Sequence, residues 1–211
     1  MSATVSSFLR SRWVSAPEGV EQLDPGGLAP GFAAAGVACG LKPGGGPDLG
    51  LLFSQADEVR SAVLLTRNAA AAASVRVCRD ECETGSLRGV VANSGNANAA
   101  TGERGYRDAL AMRDAAARAL GAEPARVAVA QTGVIGVPLP LDKVLDGVER
   151  AAPLIAADGA AAFTRAIMTT DRGPKACTLR CDGVTLSAQA KGAGMIEPGF
   201  ATMLCFVQTD A

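Results

Sequence analysis

The order in which the hydrophobic patterns follow one another is the feature that most constrains the fold of this sequence. Short β-type runs come first, a helical repeat occupies the middle, and β-type runs return at the end. The early runs predict neighbouring strands of a mixed or antiparallel sheet and lie at residues 51–53, 62–65, 74–78 and 89–92. The late runs lie at residues 177–181, 184–189 and 203–207, and the last of them is predicted to be buried. Strands, then helices, then strands predict an α+β layered domain rather than a doubly wound parallel one.

Three helices are predicted in the middle of the chain. The first has apolar residues at helical spacing, at Ala109, Met112, Ala116 and Leu120. Asp108 can cap its start, and Gly121 can end it in a left-handed conformation before Pro124 prevents continuation. A second helix is predicted to begin near Pro140 and a third to span residues 158–167. Between the strand-like runs of the last third, Asp182 and Gly183 predict a two-residue hairpin turn.

The chemistry open to the chain is limited by the absence of histidine. A Ser-His-Asp triad, a Cys-His pair and a His-ligated metal are excluded, so any nucleophile needs a different base. The formal net charge is −1 and no dense basic cluster is present, so we expect no nucleic-acid partner. No run approaches the roughly 18 apolar residues of a membrane span, so we expect no membrane association. With 48% apolar and 19% charged residues, the composition is that of a globular protein.

Six cysteines raise the questions of redox state and metal binding, and they lie at positions 39, 78, 82, 177, 181 and 205. The N-terminus lacks the apolar stretch of a secretory signal, which predicts a cytoplasmic protein with reduced thiols. Its first dozen residues contain Ser and Arg but no acid, as transit peptides do, so the mitochondrial matrix is the alternative location. The two C-x3-C pairs could form a four-thiolate zinc site. Buried structural cysteines are favoured, because zinc knuckles use C-x2-C and both pairs lie in strand-like runs.

Four segments combine glycine with small polar side chains at predicted strand or helix ends, at residues 93–98, 131–136, 169–171 and 191–198. Taken singly, each is as well explained by a turn or a cap, because Asn and Gly tolerate left-handed backbone angles. Taken together, they offer backbone amides beside a threonine hydroxyl. Such donors can be fixed in place before charge develops on an oxyanion.

The last of these segments leads to Thr202, which is predicted to lie at the start of a strand. If the peptide bond before it is cut, the threonine carries a free α-amine beside its own hydroxyl. An α-amine has a pKa of about 7.7 to 8 and can act as the base, which requires no histidine. The same hydroxyl could make the cut by attacking the Ala201 carbonyl, which has small neighbours. The alternative is an ordinary threonine at the start of a strand.

Several segments in the same order resemble the signatures of the ornithine acetyltransferase family, the bifunctional glutamate N-acetyltransferases of arginine biosynthesis. The segments are Asn-Ser-Gly-Asn-Ala-Asn-Ala at 93–99, Thr-Gly-Val-Ile-Gly at 132–136, Met-Thr-Thr-Asp at 168–171 with Pro-Lys at 174–175, Lys-Gly-Ala-Gly-Met-Ile-Glu-Pro at 191–198, and Ala-Thr-Met-Leu at 201–204. Earlier segments at 33–38, 40–42 and 48–49 also match the family pattern. The resemblance covers roughly residue 14 to the end.

The resemblance implies a precursor that cleaves itself between Ala201 and Thr202 into α and β chains. Thr202 would then carry acetyl from N-acetylornithine to glutamate as an acetyl-enzyme. It further implies an oxyanion hole at Thr132 and Gly133, substrate contacts at Thr169, Lys191 and Thr202, and no cofactor or metal. The expected fold is a layered N-terminal-nucleophile-like sandwich of the DmpA/ornithine acetyltransferase type, incomplete without the β chain. Residues 1–30 would be an irregular N-terminal segment, 31–201 the α-chain domain, and 202–211 the first strand of the β chain.

The resemblance also implies partners for this chain and leaves a co-substrate and two alternative functions open. The expected partners are the β chain, in an α2β2 heterotetramer, and small amino-acid substrates. Acetyl-CoA is open as a further co-substrate. Family precursors are about twice as long, so this fragment is expected to be inactive by itself. Gln131 stands where the family usually has serine. An amide hydrolase or aminopeptidase of the same fold, in which water accepts the acyl group, and a truncated non-catalytic subunit are the alternative functions.

Overall fold

The computed structural model describes residues 18–195 and 202–211 and has the α+β architecture that the sequence predicts. Its strands are β1 (Val20–Gln22), β2 (Phe32–Val37), β3 (Leu49–Ser54), β4 (Gly89–Asn96), β5 (Val127–Val134), β6 (Lys175–Cys181), β7 (Val184–Lys191) and β8 (Leu204–Thr209). Its helices are α1 (Ala73–Glu81), α2 (Gly102–Leu120), α3 (Leu141–Ala151) and α4 (Ala160–Ile167). The strands form two four-stranded sheets.

The first sheet has the strand order β2-β3-β4-β5 and is mixed. Strand β3 is antiparallel to both β2 and β4, whereas β4 and β5 are parallel. Helices α1, α2 and α3 cover one face of this sheet and enclose the larger apolar core. Leu51, Val91, Met112 and Val148 are completely buried there. This layer holds the C-terminal ends of β4 and β5 side by side.

Helix α4 covers the opposite face of the first sheet and also contacts the second sheet. Phe163 of α4 is completely buried and meets Phe206 of β8 edge to face, with 5.2 Å between the ring centroids. Close packing of α4 requires glycine beneath it, because a Cβ atom on Gly36 would lie 2.2 Å from the Ala162 carbonyl oxygen. The helix therefore fixes the separation of the two sheets.

The second sheet has the strand order β1-β6-β7-β8 and is antiparallel throughout. Its buried face, toward α4 and the first sheet, is largely polar and includes Thr178, Thr185, Ser187, Gln189, Lys191 and Gln208. Its outer face carries aliphatic side chains, with Leu186 39% and Val207 58% exposed. A strand does form at this place in the chain, but the prediction that it is buried is therefore wrong. Strand β8 is an edge strand of the described sheet, and alternate side chains along it point to solvent.

Several other local predictions are wrong for identifiable reasons. Residues 74–78 belong to α1, because Ala73, Ser74, Val77 and Cys78 recur at helical spacing on its buried side. Residues 62–65 form no strand, and the Leu64 side chain is fully exposed. Helix α2 begins at Gly102 rather than near Asp108, since its polar first turns carry no apolar stripe to reveal them. The segment 1–30, expected to be irregular, contains strand β1.

Other predictions are confirmed. Gly121 ends α2 in the left-handed conformation, with φ 62°, and its N–H bonds to the Arg118 carbonyl. Asp182 and Gly183 both have positive φ in the turn between β6 and β7. Helix α3 follows Pro140, and α4 lies within the predicted range 158–167. Among residues 18–195 and 202–211, no helix is long and apolar enough to cross a bilayer.

Candidate functional site

The end of β5 brings Thr132 and Gly133 against the end of β4. Thr132 is 2% exposed, and Gly133 has φ 135°, an angle that side-chain-bearing residues rarely adopt. A Cβ atom on Gly133 would lie 2.4 Å from the carbonyl carbon of Gly95. The ladder is irregular here, with a register shift between Gly95 and Asn96. Glycine is therefore required at position 133 for the two backbones to approach, and this close approach holds the Thr132–Gly133 peptide in one orientation. Gly95 needs glycine for a different reason, because its φ is 97° and a Cβ atom on it would lie 2.9 Å from the Leu41 carbonyl oxygen.

Lys191, the last residue of β7, reaches Thr132 from the second sheet. Its Nζ donates a hydrogen bond to Thr132 Oγ1 at 2.7 Å, and both residues are buried. Burial lowers the pKa of Lys191, while the negative charge of Asp171 opposes that change. An ammonium group has donors only, so the hydroxyl of Thr132 is the acceptor in this bond. Its own proton remains available for a third group.

Asp171 joins the segment after α4 to the end of β7. One carboxylate oxygen accepts the Thr169 N–H at 3.1 Å, and the other accepts the Gly192 N–H at 2.9 Å. Lys175 makes an ion pair with the same carboxylate and also donates to the Gly192 carbonyl at 2.8 Å. The carboxylate is 1% exposed. Thr169 is thereby held beside Gly192 and its neighbour Lys191.

The charge state of Asp171 makes this junction sensitive to acid. Burial raises the pKa of the carboxyl group, but the bonds from Lys175, Gly192 and Thr169 outweigh it and lower the pKa from its ordinary value of 3.8 to about 2. A pKa lowered in the folded state contributes stability above the unfolded value, and that stability is lost as the pH falls through the folded value. The difference corresponds to about 2 kcal/mol near neutral pH.

We expect Asp171→Asn to lower the free energy of unfolding by about 2 kcal/mol near neutral pH. The deficit relative to the wild type should shrink as the pH falls from 3.8 towards 2, where the wild-type carboxyl also becomes protonated. Urea unfolding at a series of pH values measures this difference. Asp158→Asn is the matched control, because Asp158 is exposed. A deficit that stays constant over this range would show that the ionised carboxylate is not the stabilising species.

Thr202 lies two residues before β8 at the same end of the second sheet. Leu204 pairs with Lys191 in the antiparallel ladder. This is the last pair of the ladder, so Thr202 lies two residues beyond the point where β7 and β8 stop pairing. Thr202 is partly buried. Ala201, the residue before the proposed cleavage point, lies outside the described residues, as do residues 196–200.

A cleft of about 560 Å³ opens beside this junction. Its lining consists of Thr170, Arg172, Gly173, Lys175, Gly192, Ala193 and Gly194. Arg172 and Lys175 supply positive charge, and glycine and alanine leave the floor open. Because Lys175 is paired with Asp171, Arg172 contributes the net positive charge of the lining, which can attract a small anion.

The asparagines at 93–98 are structural groups in this fold. Asn93 Nδ2 donates to the Asn96 carbonyl, and Asn98 Nδ2 donates to the Gly105 carbonyl and to Gln131 Oε1. Gln131 Nε2 in turn donates to Asn93 Oδ1 at 3.0 Å. Gln131, which departs from the serine of the family pattern, thus ties β5 to both asparagines. This buried network braces the end of β4 against β5, one residue before Thr132.

The structure thus brings together Thr132, Lys191 and Thr169, three of the residues predicted from sequence. It also identifies Asp171 and Lys175 as the link between them. The sequence singled out both segments but not this role, because Asp171 and Lys175 lie in the non-helical stretch between α4 and β6, where their spacing alone predicts no ion pair. All six cysteines are free thiols, and no group of three or more metal-ligating side chains occurs in residues 18–195 or 202–211.

Comparison with known proteins gives consistent matches across most of the chain. Residues 33–211 match the ArgJ family. The arginine biosynthesis bifunctional protein ArgJ of Symbiobacterium thermophilum is 49% identical over 199 residues, which cover 91% of this chain and 49% of that protein. The protein of the same name from Mycobacterium tuberculosis is 43% identical over 220 residues, 99% of this chain and 51% of that protein. The chain spans about half the length of these curated relatives.

Solved structures show the same fold. Ornithine acetyltransferase from Mycobacterium tuberculosis, solved in complex with ornithine, superimposes with a TM-score of 0.81 and 38% identity, over 88% of this chain and all of that one. The bifunctional protein argJ from Bacillus halodurans gives a TM-score of 0.76 and 36% identity, over 88% of this chain and 98% of that one. The layered α+β fold predicted from sequence is therefore the ornithine acetyltransferase fold. With its motifs, its fold and its close relatives in agreement, this chain belongs to the ArgJ family.

Proposed function

We propose that this chain forms the N-terminal half of an acetyltransferase of arginine biosynthesis. In this proposal a threonine acetyl-enzyme at Thr202 transfers acetyl from N-acetylornithine to glutamate. The observation that carries the proposal is the buried bond from Lys191 to Thr132, since Lys191 pairs with Leu204 and Leu204 follows Thr202 by two residues. Family membership supports it, because relatives bear the name of a bifunctional arginine biosynthesis protein.

The first step is cleavage of the precursor. The Thr202 hydroxyl attacks the carbonyl carbon of Ala201, and its oxygen replaces the peptide nitrogen, which leaves as the α-amine of Thr202. Water then hydrolyses the resulting ester and releases Ala201 as a carboxylate. This step gives Thr202 both a nucleophilic hydroxyl and an adjacent amine base. It explains how a chain without histidine can activate an alcohol.

Acetyl transfer then uses the new N-terminus. The α-amine of Thr202 accepts the hydroxyl proton while the oxygen attacks the acetyl carbonyl of N-acetylornithine. Ornithine leaves after its nitrogen takes up a proton, and the α-amine of glutamate attacks the acetyl ester in the second half-reaction. Acetyl-CoA would enter as a second donor in the same first half-reaction. No metal or cofactor is needed for either step.

Thr132 and Gly133 serve as the oxyanion hole in this proposal. Because Lys191 fills one acceptor position of Thr132 Oγ1, the threonine proton can be donated to the oxyanion. The Gly133 N–H is oriented by the tight contact with Gly95. Both donors are thus fixed before the charge develops, which is the condition for effective transition-state stabilisation.

The substrate is proposed to lie in the cleft beside these groups. Arg172 and Lys175 line the cleft and can attract an amino-acid carboxylate. Thr169, held by Asp171, borders the same junction, and Lys191 adds a buried positive charge. Each substrate of the reaction carries at least one carboxylate, so this positive lining suits donor and acceptor alike.

The proposed partner is the β chain of the same precursor, in an α2β2 assembly. The outer face of the second sheet supports it, because Val184, Leu186 and Val207 expose aliphatic surface there. Strand β8, at the edge of the described sheet, offers backbone groups for a further strand. The residues of such a partner would complete the surroundings of Thr202.

The direct test uses the complete precursor with N-acetylornithine and glutamate. We expect N-acetylglutamate and ornithine to form in equal amounts, as measured by mass spectrometry. Release of acetate without N-acetylglutamate would instead identify an amide hydrolase. Absence of both products from a correctly folded precursor would leave only the non-catalytic alternative.

Replacement of Thr132 tests the oxyanion assignment. Thr132→Val keeps the shape of the side chain but removes the hydroxyl, and we expect the rate of acetyl transfer to fall by about 10²- to 10³-fold. Thr132→Ser is the matched control and should retain most of the activity. Steady-state kcat with saturating substrates is the measurement. An unchanged kcat in the valine variant would remove Thr132 from the site.

A further inference from the structure

Asp48, the residue before β3, is a completely buried carboxylate outside the proposed site. One of its carboxylate oxygens accepts the Cys39 N–H at 2.6 Å. The other accepts the N–H groups of Leu41 and Lys42, at 2.7 and 3.0 Å. Three charge-assisted bonds thus fix the backbone of residues 39–42, the 39–42 loop, which belongs to no helix or strand. The proposed acetyl transfer uses none of these residues.

The ionised form of Asp48 is the form that can hold this loop. Burial raises the pKa of the carboxyl group, but the N–H bonds from Cys39, Lys42 and Leu41 outweigh burial and leave the pKa below its ordinary value. An ionised carboxylate only accepts hydrogen bonds, so each of the three N–H groups finds an acceptor. An amide of the same shape has a single oxygen and would turn its NH2 group towards at least one of them.

The 39–42 loop lies against the end of β4. A Cβ atom on Gly95 would lie 2.9 Å from the carbonyl oxygen of Leu41 and 3.0 Å from its carbonyl carbon, so the Leu41 peptide lies directly against Gly95. The main chain of Asp48 is joined to β4 as well, because the Ser94 N–H donates to the Asp48 carbonyl at 2.8 Å. Asp48 therefore holds the loop through its side chain and the end of β4 through its backbone.

Gly95 in turn lies against the proposed oxyanion hole. A Cβ atom on Gly133 would lie 2.4 Å from the carbonyl carbon of Gly95. In a close-packed interior, such a contact transmits a displacement instead of absorbing it. The Leu41 peptide closes off one direction in which Gly95 could move. A continuous series of contacts thus runs from the Asp48 carboxylate through Leu41 and Gly95 to Gly133.

We infer that Asp48 is a positioning residue for the oxyanion hole, because it fixes the 39–42 loop against Gly95 and so keeps the Gly133 N–H aimed at the oxyanion. This inference rests on the proposed function, in which Gly133 donates that bond. The charge on the oxyanion develops only during the reaction, so a misplaced donor lowers the rate and not the affinity for substrate. Loss of the Asp48 carboxylate should therefore affect kcat and not KM.

The test compares Asp48→Asn with the wild type in the complete precursor, with rates measured per mole of cleaved protein. Asparagine keeps the shape of the side chain but loses the charge and one acceptor oxygen. We expect kcat for acetyl transfer to fall by about 10- to 10²-fold, while KM for N-acetylornithine stays within about twofold. Asp24→Asn is the matched control and should leave kcat unchanged, because Asp24 accepts a backbone N–H, that of Gly26 at 2.8 Å, in an exposed turn.

Hydrogen–deuterium exchange at residue resolution gives a readout besides activity. In the wild type, the amides of Leu41 and Lys42 should exchange about 10- to 10²-fold more slowly than that of Gly44, which is exposed in the next turn. In Asp48→Asn, exchange should become faster in the 39–42 loop and also at residues 94–96. The wild-type comparison does not depend on the folding of a variant.

The outcomes separate failure of this inference from failure of the proposed function. A wild-type precursor that transfers no acetyl would overturn the proposed function and this inference with it. An active wild type with an unchanged kcat in Asp48→Asn, or with a loss confined to KM, would overturn the inference alone. The same holds if Leu41 and Lys42 exchange as fast as Gly44 in the wild type, or if faster exchange in the variant stays within the 39–42 loop.

Discussion

Replacing Thr202 with alanine is expected to leave the precursor uncut and to lower acetyl transfer by at least about 10⁴-fold, because the same hydroxyl acts in both steps. Removal of a covalent nucleophile leaves only the binding and oxyanion contributions, which do not form an acyl-enzyme. Intact mass spectrometry measures cleavage, and the rate of N-acetylglutamate formation measures transfer. The two losses should occur together in the full-length precursor.

Two variants give this experiment its controls. Thr202→Ser keeps a hydroxyl and an α-amine and should retain both cleavage and transfer at reduced rates. Thr209→Ala changes an exposed threonine at the other end of β8 and should leave both rates unchanged. A Thr202→Ala precursor that remains one uncut chain and still transfers acetyl would refute the nucleophile assignment.

Lys191→Met is expected to lower kcat/KM for acetyl transfer by about 10³-fold, because one side chain contributes in two ways. It donates to Thr132 Oγ1 and so directs the threonine proton, and it supplies a buried charge for a substrate carboxylate. Methionine keeps the length and apolar stem of lysine and removes only the charge and the donors. Lys143→Met, which changes an exposed lysine that donates to the Gly40 carbonyl, is the control.

A double-mutant cycle with Thr132→Val separates the two contributions of Lys191. If Lys191 acts partly through Thr132, the double variant should be less impaired than the product of the two single effects. The remaining effect should appear mainly in KM, since it reflects attraction of the carboxylate. Fully multiplicative effects would show that the bond seen between these residues does not contribute to catalysis.

The fold was predictable where a short sequence pattern is compatible with only one local structure. The residue types at Gly121 and in the Asp182–Gly183 turn by themselves favour a left-handed backbone, and these residues have the expected positive φ. Residues 74–78 show the opposite case. Two valines separated by one residue fit a strand, and only packing against α2 and β5 selects the helix. Strand β8 was predicted to be buried because apolarity alone does not distinguish a core strand from an edge strand.

The site was predictable in its residues but not in its connections. The sequence pointed to Thr132, Thr169 and Lys191, which are separated by tens of residues along the chain. Their contacts depend on how the second sheet packs over the end of the first, which no local pattern specifies. The central role of the Asp171 carboxylate emerges only when Thr169 and Gly192 are seen to donate to it together.

The reversed polarity of the second sheet affects how the isolated polypeptide should behave in solution. Its water-facing side presents Val184, Leu186 and Val207, while amides and hydroxyls occupy the protected side. Contiguous aliphatic surface next to an open strand edge promotes self-association. In the proposed assembly the β chain covers this face, so we expect recombinant expression of the separate polypeptide to give less soluble protein than co-expression with the β chain.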